Sequence, residues 1–263
     1  MKHLLFPILF LLFYNTLCSQ TESLDTNNIY KKRKVISISS AATIYAGGMT
    51  GLYGLWYSNY PKSQFHFFND NNQWLQMDKI GHTYSAYHLG ELGYIFSKYS
   101  CIDERKSIWL GGGVGLLFLS TIEIFDGFSK EWGASWGDLL ANISGYLLFT
   151  SQQEIWKEQK VRMKFSYSPS QYAQYRPNVL GNSFAQTLFK DYNAQTYWLS
   201  FNLSNLTNSD KIKTPKWLTL SIGYSGDGMI GGSSNPISKN GTTFPNFDRQ
   251  RQLYLSFDID WTK

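Results

Sequence analysis

The stretch WGDLLANISGYLLFTSQQEIWKEQKVRMKFSYS, residues 136–168, changes character partway along. As far as Trp156 it reads as a helix. Ser135 with Asp138 three residues later has the spacing of a capping box, with Asp where Glu or Gln is usual, and this sets where the helix begins. From Val161 the repeat becomes two: Val161, Met163, Phe165 and Tyr167 alternate with Arg162, Lys164, Ser166 and Ser168, as in a strand with one apolar face. The chain therefore divides near residue 158, with helices before and strands after.

Toward the C-terminus the two-residue repeat recurs. Tyr197, Leu199, Phe201 and Leu203 alternate with Trp198, Ser200, Asn202 and Ser204; Leu218, Leu220, Ile222 and Tyr224 form a third set, and Leu253, Leu255, Phe257, Ile259 and Trp261 a fourth. These predict four antiparallel strands, each burying one face. A short helix is expected near residues 182–190, and residues 225–246 form a Gly/Ser/Asn/Pro loop. The strands are long enough for an outer-membrane barrel, but closure takes about eight of them, so a sheet packed on the helices is expected instead.

Toward the N-terminus, Val35 to Tyr57 carries no charge, residues 58–77 mix aromatics with Asn, Asp and Pro, and a helix is predicted from Asp78 to Tyr99. On it Ala86, Leu89, Gly93 and Phe96 recur at spacings of three and four, with His82 in the same helix. After a polar break, CIDERKS, the run from Ile108 to Phe125 is Gly-rich and holds one charge, Glu123, so it is buried all round or lies in lipid. The fold class is thus α+β: a helical bundle of about four helices over residues 20–158 and an antiparallel sheet over 159–263.

Composition excludes a disordered chain, since 9 Trp, 18 Tyr and 18 Phe together outnumber the 24 basic and 19 acidic side chains. The net charge of +5 is too small to point to nucleic acid, and the slightly negative overall hydropathy argues against an ordinary polytopic membrane protein. Residues 1–19 read as a secretory signal peptide: Lys2 and His3, an apolar run from Leu4 to Tyr14, then small and polar residues. Leu17 precedes Cys18 where a lipoprotein signal has a small residue, which argues against a lipid there. Loss of Cys18 with the signal would leave Cys101 alone, without an intramolecular disulfide and with no sign of a redox role.

The helical half, though the least polar, keeps Asp78, Lys79 and His82 on one helix, Glu123 and Asp126 on the next, and Asp138 and Asn142 on the last. Glu123/Asp126 are three apart and Asp138/Asn142 four apart, so each pair projects from one helix face. Carboxylates in such surroundings must be paired, protonated or bound to a cation. Plainer roles exist for three of them: Asp78 as an N-cap, Asp138 in the cap with Ser135, and Asp126-Gly127 as a helix stop. His82 and Glu123 have no such local reason to be there, beyond a His–Glu hydrogen bond that fixes helix register. Together the set suits a general acid/base group made of His82, Glu123 and Asp138, or a cation held by His82, Glu123 and Asp126. No zinc motif is present and the sequence specifies no cofactor. His66 and His88 lie outside the constellation.

The segments Asp78-Lys79-Ile80-Gly81-His82 with Ser85-Ala86-Tyr87, Glu123-Ile124-Phe125-Asp126-Gly127-Phe128-Ser129, and Gly133-Ala134-Ser135-Trp136-Gly137-Asp138 through Asn142 and Gly145, resemble the YfiM-like predicted periplasmic lipoprotein family over residues 74–150. The skeleton is more distantly similar to VanZ-like membrane proteins. The resemblance implies an exported cell-envelope helical domain, in the periplasm or at the outer membrane, with His82, Glu123, Asp126, Asp138 and Asn142 as signature positions. It implies no established reaction.

Two functions follow as expectations. One is a membrane-associated structural or interaction protein whose partner is membrane lipid or another envelope protein. The other is a lipid- or glycan-acting hydrolase or transferase, using His82 as acid/base with Glu123, Asp126 and Asp138 orienting it or holding a cation. The second requires His82, Glu123 and Asp138 to converge within about 3 to 5 Å on an open cavity.

Overall fold

The computed structural model describes residues 26–58, 60–203, 215, 217–239 and 241–260. The expected signal peptide, Cys18, Ser204 and Trp261 lie outside the described residues. Four long helices come first: α1 (Thr26–Leu52, followed by a wide turn Tyr53–Tyr57), α2 (Met77–Tyr99), α3 (Glu104–Gly127) and α4 (Trp136–Trp156). Strand β1 (Val161–Tyr167), short helices α5 (Pro177–Leu180) and α6 (Phe184–Lys190), and strands β2 (Gln195–Asn202), β3 (Leu218–Asp227), β4 (Ser238–Lys239), β5 (Thr242–Thr243) and β6 (Gln250–Ile259) follow. The main sheet is antiparallel in the order β1-β2-β3-β6, and β4 pairs with β5 inside the expected 225–246 loop.

Helix α2 is the axis of the bundle. A Cβ on Gly90 would stand 2.7 Å from the Gly112 carbonyl oxygen, and one on Gly111 2.7 Å from that of Gly93, so glycine is what allows α2 and α3 to meet backbone to backbone. On its other side α2 meets α4, where Gly145 lies against the Thr83 carbonyl and Tyr87 packs with Phe149 and Met163. Helix α3 starts earlier than the expected Ile108, because the Asp103 carboxylate accepts from the amides of Arg105 and Lys106 and caps a turn within the presumed break. Helix α4 begins as expected, with Ser135 Oγ accepting from the Asp138 amide.

The start of α2 differs from expectation. Asp78 is not its N-cap: Trp74, Leu75 and Gln76 run in the left-handed region (φ 48°, 53° and 65°), Gln76 occupies the cap position, and Asp78 lies inside the first turn with its carboxylate free to face the bundle. Three consecutive non-glycine residues in this region are strained, on the order of 1–3 kcal/mol each. They are held from the sheet side, where the Trp74 amide donates to Gly232 O and Tyr224 OH donates to Leu75 O (2.5 Å).

The sheet lies on α2 through β1 and β2. His88 Nε2 sits 2.9 Å from Met163 O, Tyr84 packs on Phe165 and Tyr197, and Met77, Tyr197 and Met229 form a second core cluster. Alternation along the strands is as expected, but the burial is not uniform. The apolar face is covered at Met163 and Tyr197, whereas on β6 Leu253, Leu255 and Phe257 are 76%, 72% and 71% exposed. The opposite face holds buried Ser200, Ser221, Thr219 and Ser225, with the Ser200 and Ser221 hydroxyls 2.6 Å apart. The apolar row therefore starts as core and ends as surface.

Candidate functional site

Helices α2, α3 and α4 bring their polar residues to the same end of the bundle: Asp78, Lys79 and His82 from the first turns of α2, Glu123 and Asp126 from the last turn of α3, Asp138 and Asn142 from the start of α4. His82 is the centre. Its Nδ1 lies 3.0 Å from Asn142 Oδ1, so the ring donates there. This turns Nε2 toward Asp78 Oδ1 at 3.8 Å, Glu123 Oε1 at 3.8 Å and Asp138 Oδ1 at 3.9 Å. Those separations are too long for hydrogen bonds, and the imidazole faces three carboxylates at nearly equal range.

Each acid has its own local support. Glu123, 3% exposed, accepts from the Ser135 amide through Oε2 (2.9 Å), while its Oε1 has no hydrogen-bond partner among the described residues. Glu123 thus takes the Ser135 amide that the reciprocal half of the capping box would have used, leaving the Asp138 carboxylate free to pair elsewhere. Lys79 Nζ lies 2.6 Å from Asp70, 2.8 Å from Asp138 and 3.4 Å from Asp78. Asp78 also accepts from Tyr192 OH (2.6 Å), and Asp126 from Tyr57 OH (2.7 Å).

A cavity of about 350 Å³ opens over this group; its wall includes Asp70, Asp78, His82, Asp126 and Asp138, with Trp74, Trp132, Tyr57 and Tyr192 around them. Glu123 stands behind His82 and not in that wall. Of the residues expected to act together, His82, Glu123 and Asp138 are gathered by the fold. Of those expected to hold a cation, His82 and Glu123 are neighbours while Asp126 engages Tyr57. Among the described residues, the side chains whose ligand atoms all lie within 4.8 Å of one another are Asp78, His82 and Asp138.

Charge crowding sets the protonation. Burial alone would lower the His82 pKa, but Asp78 first, then Asp138 and Glu123, outweigh it and raise it to about 9, so the imidazolium is the form at neutral pH. Burial raises Asp138, reinforced by the Asp78 charge and opposed by His82 and Lys79. For Asp78 burial pushes upward, yet the His82 and Lys79 charges and the Tyr192 hydroxyl prevail and lower it. Lys79 is raised: burial opposes its charge, and Asp78 and Asp138 more than restore it.

Asp70, Tyr57 and Tyr192 were not foreseen. Asp70 sits in an Asn-rich loop without periodicity, and Tyr192 reaches Asp78 across 114 residues, so neither carries a signal in the local sequence. His66 and His88 stay apart as expected, the first bound locally at Gln64 and the second at Met163 and Glu91.

Residues 66–168 match the model of a family described as "Predicted periplasmic lipoprotein (DUF2279)". The match encloses every site residue from Asp70 to Asn142 and agrees with an exported, periplasmic protein of the cell envelope. Tyr57, Tyr192 and strands β2 to β6 lie beyond it. No curated protein and no solved structure matches the chain.

Proposed function

We propose that this envelope protein is a hydrolase or transferase that acts on a lipid or glycan through acid–base chemistry in the α2–α3–α4 cavity. The observation that carries the reading is His82 itself: a mostly buried imidazole, oriented by Asn142, in a cavity wall and 3.8–3.9 Å from three carboxylates. A positioned acid of this kind contributes about 10²–10⁴-fold to bond cleavage. His82 gives its proton to the leaving oxygen of the substrate. Asp138, also in the wall and raised toward neutrality, takes the proton of the attacking water or hydroxyl. Glu123 stands behind the ring and balances its charge, and Trp74 and Trp132 offer flat faces to a sugar ring or an acyl chain.

The test uses purified protein with phosphatidylglycerol/phosphatidylethanolamine vesicles in one arm and cell-wall glycan fragments in the other, with products read by mass spectrometry. Wild type is expected to release product in one arm, and His82→Ala to abolish it at unchanged circular dichroism. A wild type inert in both arms, with His82→Ala only less stable, would overturn the proposal.

A second reading has its own observation. Lys79 joins Asp70, Asp78 and Asp138, and Glu123 holds the Ser135 amide, so the same residues tie three helices and a loop together. On that reading the cluster is a packing device, and the partner is membrane lipid or another envelope protein.

A further inference from the structure

We propose that the substrate of the His82 cavity carries an ammonium group beside a hydrocarbon chain, with the ammonium at Asp126 and the chain along Ile122, Leu119 and Leu52. This rests on the catalytic reading of the same cavity and names the substrate class which that reading leaves open.

Charge around the cavity is unequal. Its wall carries Asp70, Asp78, Asp126 and Asp138, and His82 is the single basic side chain among the residues that line it. With Glu123 and Lys79 just outside the wall, five carboxyl groups formally face two cations. Lys79 or His82 stands 2.6–3.9 Å from each of Asp70, Asp78, Glu123 and Asp138. Among the described residues neither is paired with Asp126, whose hydrogen bond comes from a neutral donor, the Tyr57 hydroxyl at 2.7 Å. Burial, and after it the Asp78 charge, raise Asp126 to about 7 against that hydrogen bond. A cationic ligand supplies the partner this carboxyl lacks, whereas a phosphate or sulfate would meet like charge at every acid of the wall.

Aromatic rings give the same preference. Trp132 meets Tyr57 edge to face at 5.8 Å and Tyr60 at 4.7 Å, and Tyr57 and Trp132 line the cavity together with Asp126. A carboxylate among such rings is suited to hold an ammonium, through charge and through cation–π attraction.

The rest of the ligand is read from the helix that carries Asp126. Ile122 and Leu119 lie four and seven residues before it on the same face of α3, and both line the cavity with Leu52 from the end of α1. At 1.5 Å per residue the stripe extends about 10 Å from the carboxyl. Leu119, at its far end, is buried, so the stripe ends inside the protein. An alkyl or acyl chain suits this wall, and a sugar would leave hydroxyls unsatisfied along it. The cavity volume of about 350 Å³, near the lower end for ligand sites, suits a single chain.

The test titrates the purified protein calorimetrically with octylammonium, octanol and octyl sulfate, each below its micellar range, and with ethylammonium as the control without a chain. Octylammonium is expected to bind at least about tenfold more tightly than octanol or ethylammonium, and octyl sulfate more weakly still. The net charge of +5 would draw the sulfate to the rest of the surface, so a preference for the ammonium belongs to the cavity. Asp126→Asn should remove most of that preference and leave octanol binding as it was. Trp132→Leu, in the loop outside the helices, should weaken octylammonium severalfold and by more than octanol. Circular dichroism of each variant should match wild type. Equal affinity for the three head groups, tighter binding of the sulfate, or an ammonium preference that survives both variants overturns the inference. A protein that prefers octylammonium yet cleaves neither lipid nor glycan would overturn the catalytic reading alone. One that cleaves a substrate without an ammonium, uninhibited by octylammonium, would overturn this inference alone.

Discussion

The Asn142 side-chain oxygen meets His82 Nδ1 at 3.0 Å, and this one contact between α4 and α2 decides which way the imidazole faces. Asn142→Leu keeps the branched four-atom shape of the side chain and removes the acceptor. We expect a loss of about 1–3 kcal/mol in stability from the unpaired ring nitrogen, together with a fall in turnover larger than that seen for a conservative change elsewhere on α4. Chemical denaturation and a turnover assay of the same preparation check both; an unchanged His82 nitrogen NMR signature in the variant would sink the orienting role.

Protonation of His82 makes stability depend on pH with a definite sign. Its folded-state pKa is raised from 6.5 to about 9, so its contribution is complete below about 6.5 and is lost as the pH rises through about 9. The size is at most ~3 kcal/mol. Asp138, also raised, acts in the same direction, whereas the lowered Asp78 contributes at neutral pH and loses its part only in acid. Melting temperature against pH for wild type and His82→Gln tests this: the alkaline decline should flatten in the variant, and equal slopes would refute it.

Lys79 is positioned where a metal ion would compete, its ammonium 2.6 and 2.8 Å from Asp70 and Asp138. We expect wild type to be insensitive to chelator and Lys79→Gln to bind Mn²⁺ or Zn²⁺ more tightly, at the expense of stability without the ion. Calorimetric titration and metal analysis read the outcome; stoichiometric metal in purified wild type, lost on Glu123→Ala, would instead make the cluster a metal centre.

Close backbone contact between α2 and α3 predicts a sharp positional contrast. Gly90→Val, whose Cβ would stand 2.7 Å from the Gly112 oxygen, should cost more than about 2 kcal/mol, because backbone cannot move aside as a side chain can. Gly113→Ala, with its nearest neighbour 4.0 Å away on the Tyr146 ring, should be nearly neutral. Similar melting temperatures for the two would mean that the helices do not meet as described.

Much of this was legible in residues whose effect is local. Ser135 announces the start of α4, and the alternation from Val161 announces the sheet. Asp103 reads in the sequence as part of a polar break, because its cap is visible only once the chain turns at Cys101, a left-handed residue with φ of 55°. Alternation at Leu253, Leu255 and Phe257 shows which side chains share a face but not whether that face meets a helix or the outside. Of the site, the acids and His82 were found because charges in an apolar helix need a reason. Asp70, Tyr57 and Tyr192 were missed because such residues are ordinary in loops and acquire meaning only from distant partners. Chain-wide hydropathy averages the polar sheet with α1 and α3 and so says nothing of either helix singly, each of which is by length and composition apolar enough to cross a membrane.

The left-handed run at Trp74, Leu75 and Gln76 bears on how the protein can be taken apart. Its clamps come from Gly232 and Tyr224, and Asp78 leans on Tyr192, all beyond the segment shared with the envelope family. A fragment spanning 66–168 would retain every acid, the histidine and the contacts of Lys79, Glu123 and Asn142 with them, yet the entry of α2 would lose the hydrogen bonds that hold Trp74, Leu75 and Asp78. The chain beyond residue 168 is therefore the jig for the entry of α2, and excising the helices for study would discard the tool that sets it.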